Sequence, residues 1–378
     1  MTAVTKHLAF GITGSTSFEK PFILAKRFST LDHMTRGRVA WNVVTTYQKA
    51  AFEAIGLDNP IEHDERYRQA EEYMEVVYKL WESSWADDAL SPDPANDSYI
   101  DPDKIRTIRH RGKYFTVNTK HIVDPSPQRT PLIFQAGTST AGSNFAATHA
   151  EAIFVASPSP KILRPKIDTI RRLAAEKGRD PRSMKFFAMF TPILGRTDEE
   201  AQAKFENLKL YASTIGGLVL FSSWTGIDLS TIPLDQEIKA ADSTVANKVH
   251  GILDLFRPEG EDKDAPRWTP RLVAERASIG GLGPISIGSP ETVADEMERW
   301  VREADIDGFN ICYITTPGTF EDVVDLLVPE LRRRKIYPEV PDEPLTAREK
   351  IYGKGQKMLR DDHFGAKYKY AVYKEDSS

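Results

Sequence analysis

The sequence of 378 residues predicts an α/β fold built on parallel strands, and three observations support this. Short, nearly continuous apolar runs recur along the chain, as is typical of strands that are buried on both faces. Helix-period segments lie between several of these runs. Residues 10–46 read as strand, turn, helix, Gly-containing turn and strand, which makes one complete βαβ unit. The predicted strands are Leu8–Thr13, Val39–Thr45, Leu132–Ala136, Ala152–Ala156, Lys185–Leu194 and Phe309–Ile314.

Two helices between these strands have clear boundary signals. Proline is favoured at the first helical position and glycine just after the last, so Pro21 predicts the start of one helix and Gly37 its end. In the stretch GSPETVADEMERWV, Ser289 is the predicted N-cap and Pro290 the first helical residue. Helices that alternate with buried strands indicate a parallel α/β organisation.

Two long inserts interrupt the alternation. Residues 83–130 carry the stretch DDALSPDPANDSYIDPD and then IRHRGKYFTV, in which residues 111–113 predict the tight turn of an exposed hairpin. Residues 215–287 mix Gly-rich turns, helix and the charged loop RPEGEDKDAPR. Because connections of this size are uncommon unless functional, we expect lids over a barrel mouth, with loops of no consequence as the alternative.

The predicted domain organisation is one large domain followed by a short extension. Residues 1–335 form the barrel domain with its two inserts, and residues 336–378 form the C-terminal extension. The extension is rich in Arg, Lys and Pro near its start, so we expect it to be docked or solvated and not to be a binding site.

Composition narrows the function to small-molecule chemistry. The 50 Lys and Arg residues against 55 Asp and Glu give a net charge of -5, so there is no basic excess for nucleic acid or an anionic membrane. Cys312 is the only cysteine, which excludes an internal disulfide and a thiolate metal cluster. The sequence contains no apolar run of membrane-spanning length and no secretory signal, so we expect a cytoplasmic protein without a membrane partner.

A small-residue loop follows the third predicted strand. In QAGTSTAG the strand ends at Ala136, and a helix begins near Ser143. Backbone N–H groups at a helix start, flanked here by the hydroxyls of Thr138 and Ser139, form a natural phosphate cradle. An ordinary βα turn uses the same residue types, and the local sequence does not decide between the two interpretations.

Polar residues in two other segments are candidates for the same ligand. His63 and Tyr67 lie four residues apart at the start of a helix and could both reach an anion, although a core histidine beside a tyrosine is the commoner situation. Asn42 and Thr45 fall within or at the end of an apolar strand, and Thr13 ends the first strand. Buried amides and hydroxyls need partners, and ligands of parallel α/β folds bind at the carboxyl ends of strands.

Other chemistries have little support in the sequence. It contains no GxGxxG after a strand, no Walker loop, no HExxH, no GxSxG and no pair of histidines at metal-ligand spacing. We therefore predict no metal site and no serine-hydrolase mechanism.

The segments RFSTLDHMTRGRVAWNVVT, HDERYRQAEEYMEVVYKLW, QAGTSTAG and IDGFNICYITTPGTFEDVVDLLVPEL carry a family resemblance. They resemble the nitrilotriacetate, dibenzothiophene-sulfone and long-chain-alkane monooxygenases, a branch of the bacterial luciferase-like flavin monooxygenases. The resemblance runs from the first residues to about Leu331 and continues more weakly into KIYGKGQKMLRDDHFGAKY.

This resemblance implies a TIM (β/α)8-type barrel of the bacterial luciferase-like kind. It also implies a two-component monooxygenase that receives reduced FMN from a separate NAD(P)H:flavin reductase and uses molecular oxygen as co-substrate. In the family, a flavin 4a-hydroperoxide then oxygenates a small organic substrate. The alternatives are a truncated, non-catalytic homologue that acts by association, and a deazaflavin-dependent oxidoreductase of the same superfamily.

The resemblance also assigns positions of the candidate site, though no catalytic residue. Thr13 matches a flavin-contacting position at the end of a barrel strand, and Asn42 and Thr45 match polar groups near the isoalloxazine ring. His63 and Tyr67 match the family's flavin-site pair. The AGTST loop matches the phosphate-binding loop, in which the equivalent residue is either Thr138 or Ser139.

The number of strands adds a further expectation. A barrel of this kind has eight strands, and six are predicted. In the family pattern the first strand here corresponds to the third, so we expect the first two βα units to be absent, together with an acidic residue near the flavin. Open strand edges favour association, so we expect a homo-oligomer.

Overall fold

The structure is a computed structural model that describes residues 1–238, 268–281 and 283–374. The predicted charged loop RPEGEDKDAPR lies outside the described residues. No helix within the described ranges is both long and apolar enough to cross a membrane. The chain divides into two compact units: unit 1 comprises Met1–Phe154, Asp168–Lys185 and Val340–Ser378, and unit 2 comprises Val155–Ile167 and Phe186–Glu339.

Strands and helices alternate along most of the described chain. The strands are β1 (Phe10–Ser15), β2 (Val39–Val44), β3 (Leu90–Asp93), β4 (Ser98–Ile100), β5 (Ile108–Arg111), β6 (Thr116–Thr119), β7 (Leu132–Gln135), β8 (Ala152–Val155), β9 (Lys185–Leu194), β10 (Ile285–Gly288) and β11 (Gly308–Ile311). The helices are α1 (Pro21–Thr35), α2 (Lys49–Glu53), α3 (His63–Tyr78), α4 (Thr140–His149), α5 (Pro160–Glu176), α6 (Asp198–Lys209), α7 (Thr214–Thr225), α8 (Pro270–Ser278), α9 (Pro290–Ala304), α10 (Gly318–Asp322), α11 (Val328–Arg333) and α12 (Ala347–Tyr352). Single π-helical turns lie at Lys79–Ser83 and Val323–Leu327, and 3-10 turns at Thr2–Val4, Pro94–Asn96, Pro102–Lys104, Pro181–Ser183 and Phe364–Tyr368.

Unit 1 is built around four parallel strands. They are neighbours in the order β1, β2, β7 and β8, with Thr13 opposite Asn42 and Val43 opposite Gln135. Because the strands are parallel, their carboxyl ends lie along one edge and their amino ends along the other. This arrangement agrees with the predicted α/β class.

The predicted helix boundaries are confirmed. α1 begins at Pro21 in its first turn and ends before Arg36, which is in the left-handed conformation with φ of 55°. Gly37 follows with φ of 80°, and its N–H donates to the carbonyl of Asp32, a typical helix stop. At the start of α9 the Ser289 side chain accepts from the N–H of Thr292, as an N-cap does.

The core of unit 1 lies between the sheet and helices α1 and α3. Trp41 of β2 is fully buried, and its indole N–H donates to the carbonyl of Gly14 at 3.0 Å. Its ring contacts Phe28 of α1, Tyr73 of α3 and Trp81, with centroid distances of 5.7, 6.2 and 5.9 Å. Full burial of such side chains stabilises the fold by about 1.5–3 kcal/mol each. This packing fixes α1 and α3 against β2.

The first insert contains the hairpin that the sequence predicts. β5 and β6 pair antiparallel, and the N–H of Gly112 in the turn donates to the carbonyl of Phe115 at 2.9 Å. A second antiparallel pair, β3 and β4, forms within the Pro/Asp-rich stretch. Hydrogen bonds anchor the insert, since Trp85 Nε1 donates to the carbonyl of His121 and His121 Nε2 bonds to Ser29 Oγ of α1.

Unit 2 contains a strand that the sequence analysis misses. β9 pairs in parallel with both β10 and β11. β10 lies within residues 215–287, which were predicted as an insert, so the described chain has seven such parallel strands and the predicted six is wrong. The run ISIG is short and follows glycine-rich turns, and its strand conformation depends on pairing with Thr191–Leu194.

The C-terminal segment of unit 1 is docked. Arg348 at the start of α12 is fully buried, and it forms a two-pronged ion pair with Glu151 at 2.7 and 2.9 Å. Its guanidinium also donates to the carbonyl of Thr130, and its backbone N–H donates to Gln128 Oε1. Of the two predicted alternatives, docked or solvated, the segment around Arg348 is docked.

Candidate functional site

A pocket of about 360 Å³ lies at the carboxyl ends of the unit 1 strands. Thr45 follows β2 at its wall, and Gln135 and Gly137 contribute the end of β7 and the loop after it. Tyr67 of α3 and Phe145 of α4 supply its aromatic surface. The pocket therefore occupies the edge of the sheet at which ligands of parallel α/β folds bind.

The N-terminal ends of α3 and α4 meet through a side-chain hydrogen bond. His63 Nε2 lies 3.3 Å from Ser139 Oγ, although 76 residues separate the two in sequence. His63 Nδ1 lies 2.7 Å from Asp64 Oδ1. With the imidazole neutral, Nδ1–H donates to the Asp64 carboxylate, and Nε2 accepts from the Ser139 hydroxyl. The neighbouring carboxylate therefore sets the tautomer that faces the loop.

Ser139 is the N-cap of α4. Its Oγ accepts from the N–H of Gly142 at 3.1 Å, and its carbonyl accepts from the N–H of Ser143. Thr138 takes part through its backbone, since its carbonyl accepts from Ser143 Oγ. Of the two residues that the resemblance left as alternatives, Ser139 is the one that the structure places against His63.

Two glycines allow the hydroxyl of Tyr67 to lie close to the backbone of the loop that contains Ser139. A Cβ on Gly137 would lie 2.4 Å from Tyr67 Oη, and a Cβ on Gly142 would lie 2.8 Å from it. The Tyr67 ring also contacts His63 and Phe145, with centroid distances of 5.2 and 5.8 Å. Glycine is therefore required at both positions for the tyrosine to approach the backbone.

The helix starts differ in their capacity to bind an anion. Glu62 caps α3, and the N–H groups of Asp64 and Glu65 that bond to it lower the pKa of its carboxyl. An anion at α3 would have to displace this carboxylate. α4 is capped only by the neutral Ser139 hydroxyl, and its amino end carries the partial positive charge of the helix dipole. An anion is therefore expected at α4.

A second group of polar atoms lies in the strands. Asn42 Nδ2 donates to Thr13 Oγ1 at 3.2 Å across the β1–β2 pair. Asn42 Oδ1 and Gln135 Oε1 are both buried and have no hydrogen-bond partner within the described part of the chain. Unpartnered buried oxygens are uncommon, because each loses its hydration without a replacement. Such acceptors are suited to a ligand that offers hydroxyl or N–H donors.

The structure thus brings the predicted residues together in linked pairs. Thr13 bonds to Asn42, His63 bonds to Ser139 and contacts Tyr67, and Thr45 shares the pocket with Tyr67. Thr138 lies in the same loop as Ser139, but its side chain is exposed. All seven predicted positions are in unit 1. Within the residues that the structure describes, no cluster of His, Cys, Asp or Glu has an arrangement that could hold a metal ion.

Several contributors to the pocket and loop were not predicted from the sequence, among them Gln135, Gly137, Gly142 and Phe145. A signal for Gln135 was present, because it ends an otherwise apolar strand just as Asn42 interrupts one. The glycines carried no comparable signal, since their role depends on the position of Tyr67.

Comparison with known proteins identifies the family. The luciferase-like monooxygenase family matches residues 1–307. The chain belongs to this family. A dimethyl-sulfide monooxygenase from Hyphomicrobium sulfonivorans is 44% identical over 382 residues, covering 100% of this chain and 77% of that protein. Nitrilotriacetate monooxygenase component A from Aminobacter aminovorans is 34% identical over 343 residues, covering 89% of this chain and 74% of that protein.

Two solved structures of similar fold accompany these relatives. The crystal structure of DmoA from Hyphomicrobium sulfonivorans has a TM-score of 0.88 and 43% identity, over 98% of this chain and 77% of that one. Riboflavin lyase (RcaE), crystallised with modified FMN and substrate riboflavin, has a TM-score of 0.84 and 34% identity, over 97% of this chain and 79% of that one. The predicted TIM-barrel fold of the luciferase-like kind and the predicted flavin-dependent monooxygenase are confirmed.

Proposed function

We propose that this luciferase-like monooxygenase binds reduced FMN at the carboxyl ends of the unit 1 strands and oxygenates a small organic substrate. A separate NAD(P)H:flavin reductase supplies the reduced FMN. The observation that carries the proposal is the Ser139–His63 hydrogen bond, which joins two helix starts beside the pocket. The two-component arrangement draws support from the relative named component A, and FMN from the riboflavin lyase structure.

The residues present fit FMN at both of its ends. At α4, the Tyr67 hydroxyl and the backbone N–H groups of the helix amino terminus offer neutral donors, the setting in which phosphates bind, and His63 holds the Ser139 hydroxyl beside them. Gln135 lines the pocket, and its unpartnered oxygen, like that of Asn42 on the neighbouring strand, is an acceptor for ribityl hydroxyls or ring N–H groups. FMN therefore offers a phosphate to the donors at the start of α4, and it offers hydroxyl and N–H donors to the acceptors that lack partners.

The chain's own contribution to the reaction is binding, orientation and exclusion of water. Bound reduced FMN supplies the oxygen chemistry that inserts one oxygen atom into the substrate. Tyr67 and Phe145 cover one wall of the pocket with aromatic surface, which keeps water from that wall. Asp64 holds the imidazole of His63 in the tautomer that accepts from Ser139, so this bond is set before the ligand arrives.

The proposal is tested by anaerobic titration of the chain with reduced FMN. We expect His63→Ala to weaken binding by about 0.5–1.5 kcal/mol, because the exposed Ser139 hydroxyl loses one hydrogen-bond partner that water can partly replace. The matched control is His33→Ala. His33 is an exposed histidine of α1, and its imidazole bonds to the carbonyl of Asp124, which is not a pocket residue. The His33→Ala substitution should therefore leave FMN binding unchanged.

Two outcomes would overturn the proposal. The first is equal FMN affinity in wild type, His63→Ala and His33→Ala. The second is binding of a reduced deazaflavin but not of FMN, which would favour the oxidoreductase alternative. If FMN binds, oxygen consumption with an added flavin reductase and candidate substrates then tests the monooxygenase activity. The cytoplasmic location and the homo-oligomeric state stay predictions.

A further inference from the structure

A continuous series of aromatic rings links the C-terminal segment to the candidate FMN site. It passes between α3 and α4 and lies wholly in unit 1. Successive centroids are 4.7 to 6.1 Å apart, within the range of favourable ring contacts. In order, the aromatic column consists of His63, Tyr67, Phe145, His149, Phe364 and Tyr368.

His149 is the central residue of this column. It is the last residue of α4 and is fully buried. Its Nε2 lies 2.8 Å from Glu71 Oε2, and its Nδ1 lies 3.2 Å from the Tyr78 hydroxyl. Because a carboxylate only accepts, Nε2–H donates to Glu71, and Nδ1 of the neutral ring accepts from Tyr78. One side chain of α4 is thus tied to two residues of α3 that are about two helical turns apart.

The C-terminal segment and a nearby arginine cap the same end of α4. His363 Nε2 donates to the carbonyl of His149 at 2.8 Å, and the Arg179 guanidinium donates to the carbonyls of Ala147 and Ala150 at 2.9 and 2.7 Å. Burial lowers the pKa of His363 well below its ordinary value, so it remains a neutral donor. The last carbonyls of α4 therefore have fixed partners, and the helix has little freedom to slide.

The segment also packs directly against α3. The ring of Tyr78 stacks on Tyr368 with a centroid distance of 6.0 Å and an interplanar angle of 18°. A Cβ on Gly365 would lie 2.9 Å from the Tyr78 ring, so only glycine permits this approach. The C-terminal ends of both helices are thus held by one segment, while their N-terminal ends carry His63 and Ser139.

We propose that His149 is a positioning residue for the phosphate end of the FMN site, and that residues 363–368 hold it in place. This inference rests on the proposed function. α4 has 10 residues and behaves as a short rigid rod, so fixing its last turn against α3 fixes the separation of Ser139 and His63. Phosphate contacts depend on placement within about 0.5 Å, so a shift of α4 weakens them. Among the residues that line the pocket, α4 contributes Phe145 only, so the contacts of the rest of the flavin depend less on this helix.

The test compares reduced FMN with reduced riboflavin, which lacks the phosphate. The readout is the ratio of the two dissociation constants, measured by anaerobic titration. We expect His149→Phe, which keeps a ring but loses both bonds to α3, to reduce the preference for FMN by about 5–10-fold. Riboflavin affinity should change by less than about twofold. His149→Gln retains a donor for Glu71 and should restore most of the preference.

His121→Phe is the matched control. His121 is also a buried histidine of unit 1, but its imidazole bonds to Ser29 of α1 and not to a residue of the column. It should lower stability without altering the preference for FMN. If His149→Phe does not fold, Tyr78→Phe removes only the hydroxyl that bonds to His149 and should reduce the preference by about threefold.

The outcomes separate this inference from the proposed function. A wild-type chain that binds neither flavin contradicts the proposed function. A wild-type chain that prefers FMN, with the same preference in His149→Phe or, failing that, in Tyr78→Phe, overturns the positioning role and leaves the proposed function standing. An equal loss of affinity for both flavins also overturns it, because that result indicates general damage to the site.

Discussion

The two ends of the unit 1 strands treat buried polar groups in opposite ways, and two glutamines show the difference. Gln128, near the amino ends, donates to Asp32 Oδ1 and to the carbonyl of Val39, and accepts from the N–H of Arg348. Gln135, at the carboxyl ends, is equally buried, yet its Oε1 has no partner in the described chain. Gln128 is satisfied within the protein, whereas Gln135 leaves one acceptor without a partner.

This difference supports the proposed division, in which the amino ends of the sheet stabilise the fold and the carboxyl ends bind the ligand. At the amino ends, Arg348 donates to Glu151 and to the carbonyl of Thr130, and Glu151 also accepts from the N–H of Ile133. Such a network rigidifies the structure only when all of its members are satisfied. At the carboxyl ends, unsatisfied oxygens beside a pocket lower the stability of the protein as long as no ligand donates to them. A ligand that supplies donors recovers that free energy as affinity.

The largest effect is expected at the amino ends. Arg348→Met removes the partner of Glu151 and leaves a buried carboxylate unpaired, so we expect a loss of about 3–5 kcal/mol in the free energy of unfolding. Urea denaturation measures this loss. Arg172→Met is the control, because the exposed Arg172–Glu176 pair should contribute less than about 1 kcal/mol. A comparable loss in the two variants would remove the basis of the comparison.

The dependence of stability on pH tests a third buried polar residue of unit 1, His121. Burial lowers the pKa of His121 to about 4 in the folded state, against an ordinary value of 6.5. The unfolded chain therefore takes up this proton first as the pH falls, so stability is complete above 6.5 and is lost progressively down to about 4. The expected loss is roughly 3 kcal/mol. In His121→Gln, unfolding free energies between pH 7.5 and 4 should fall by correspondingly less, and a decline as steep as in the wild type would contradict the assignment.

The smallest effects on the free energy of unfolding are expected when a glutamine is replaced by methionine at each end of the sheet in turn. Gln128→Met breaks three side-chain hydrogen bonds and leaves Asp32 short of a donor, so we expect a loss of about 2 kcal/mol. Gln135→Met removes an oxygen that has no partner, so the unfolding free energy should stay within about 0.5 kcal/mol of wild type or rise. Equal losses would show that the two ends do not differ.

Sequence reasoning succeeded where the signal was local. The six predicted strands were apolar enough to be identified without their partners, and Pro21 and Ser289 marked helix starts by their own chemistry. β10 was not predicted, because a run of four residues after glycine-rich turns has no strand preference until β9 pairs with it. Tertiary pairing decided that element.

The candidate site follows the same rule. Asn42 was a candidate because a polar residue in an apolar strand is conspicuous, and His63 because it lies four residues from Tyr67. The resemblance narrowed the phosphate loop to Thr138 or Ser139, and only the spatial placement of α3 distinguished them. Arg348 carried no signal at all, since a single arginine in a basic segment resembles its solvated neighbours until Glu151 is seen beside it.

The Arg348–Glu151 pair also bears on the order in which the chain folds. The two residues are separated by 197 positions, so the strands that precede and follow Glu151 are synthesised long before its partner. Until residue 348 emerges from the ribosome, a nascent unit 1 must either keep this carboxylate hydrated or bury it neutral. Native-like closure at the amino ends of the strands is therefore a late event in biosynthesis. A contact so distant in sequence slows folding and prolongs the time during which apolar strand surface is open to chaperones or to aggregation.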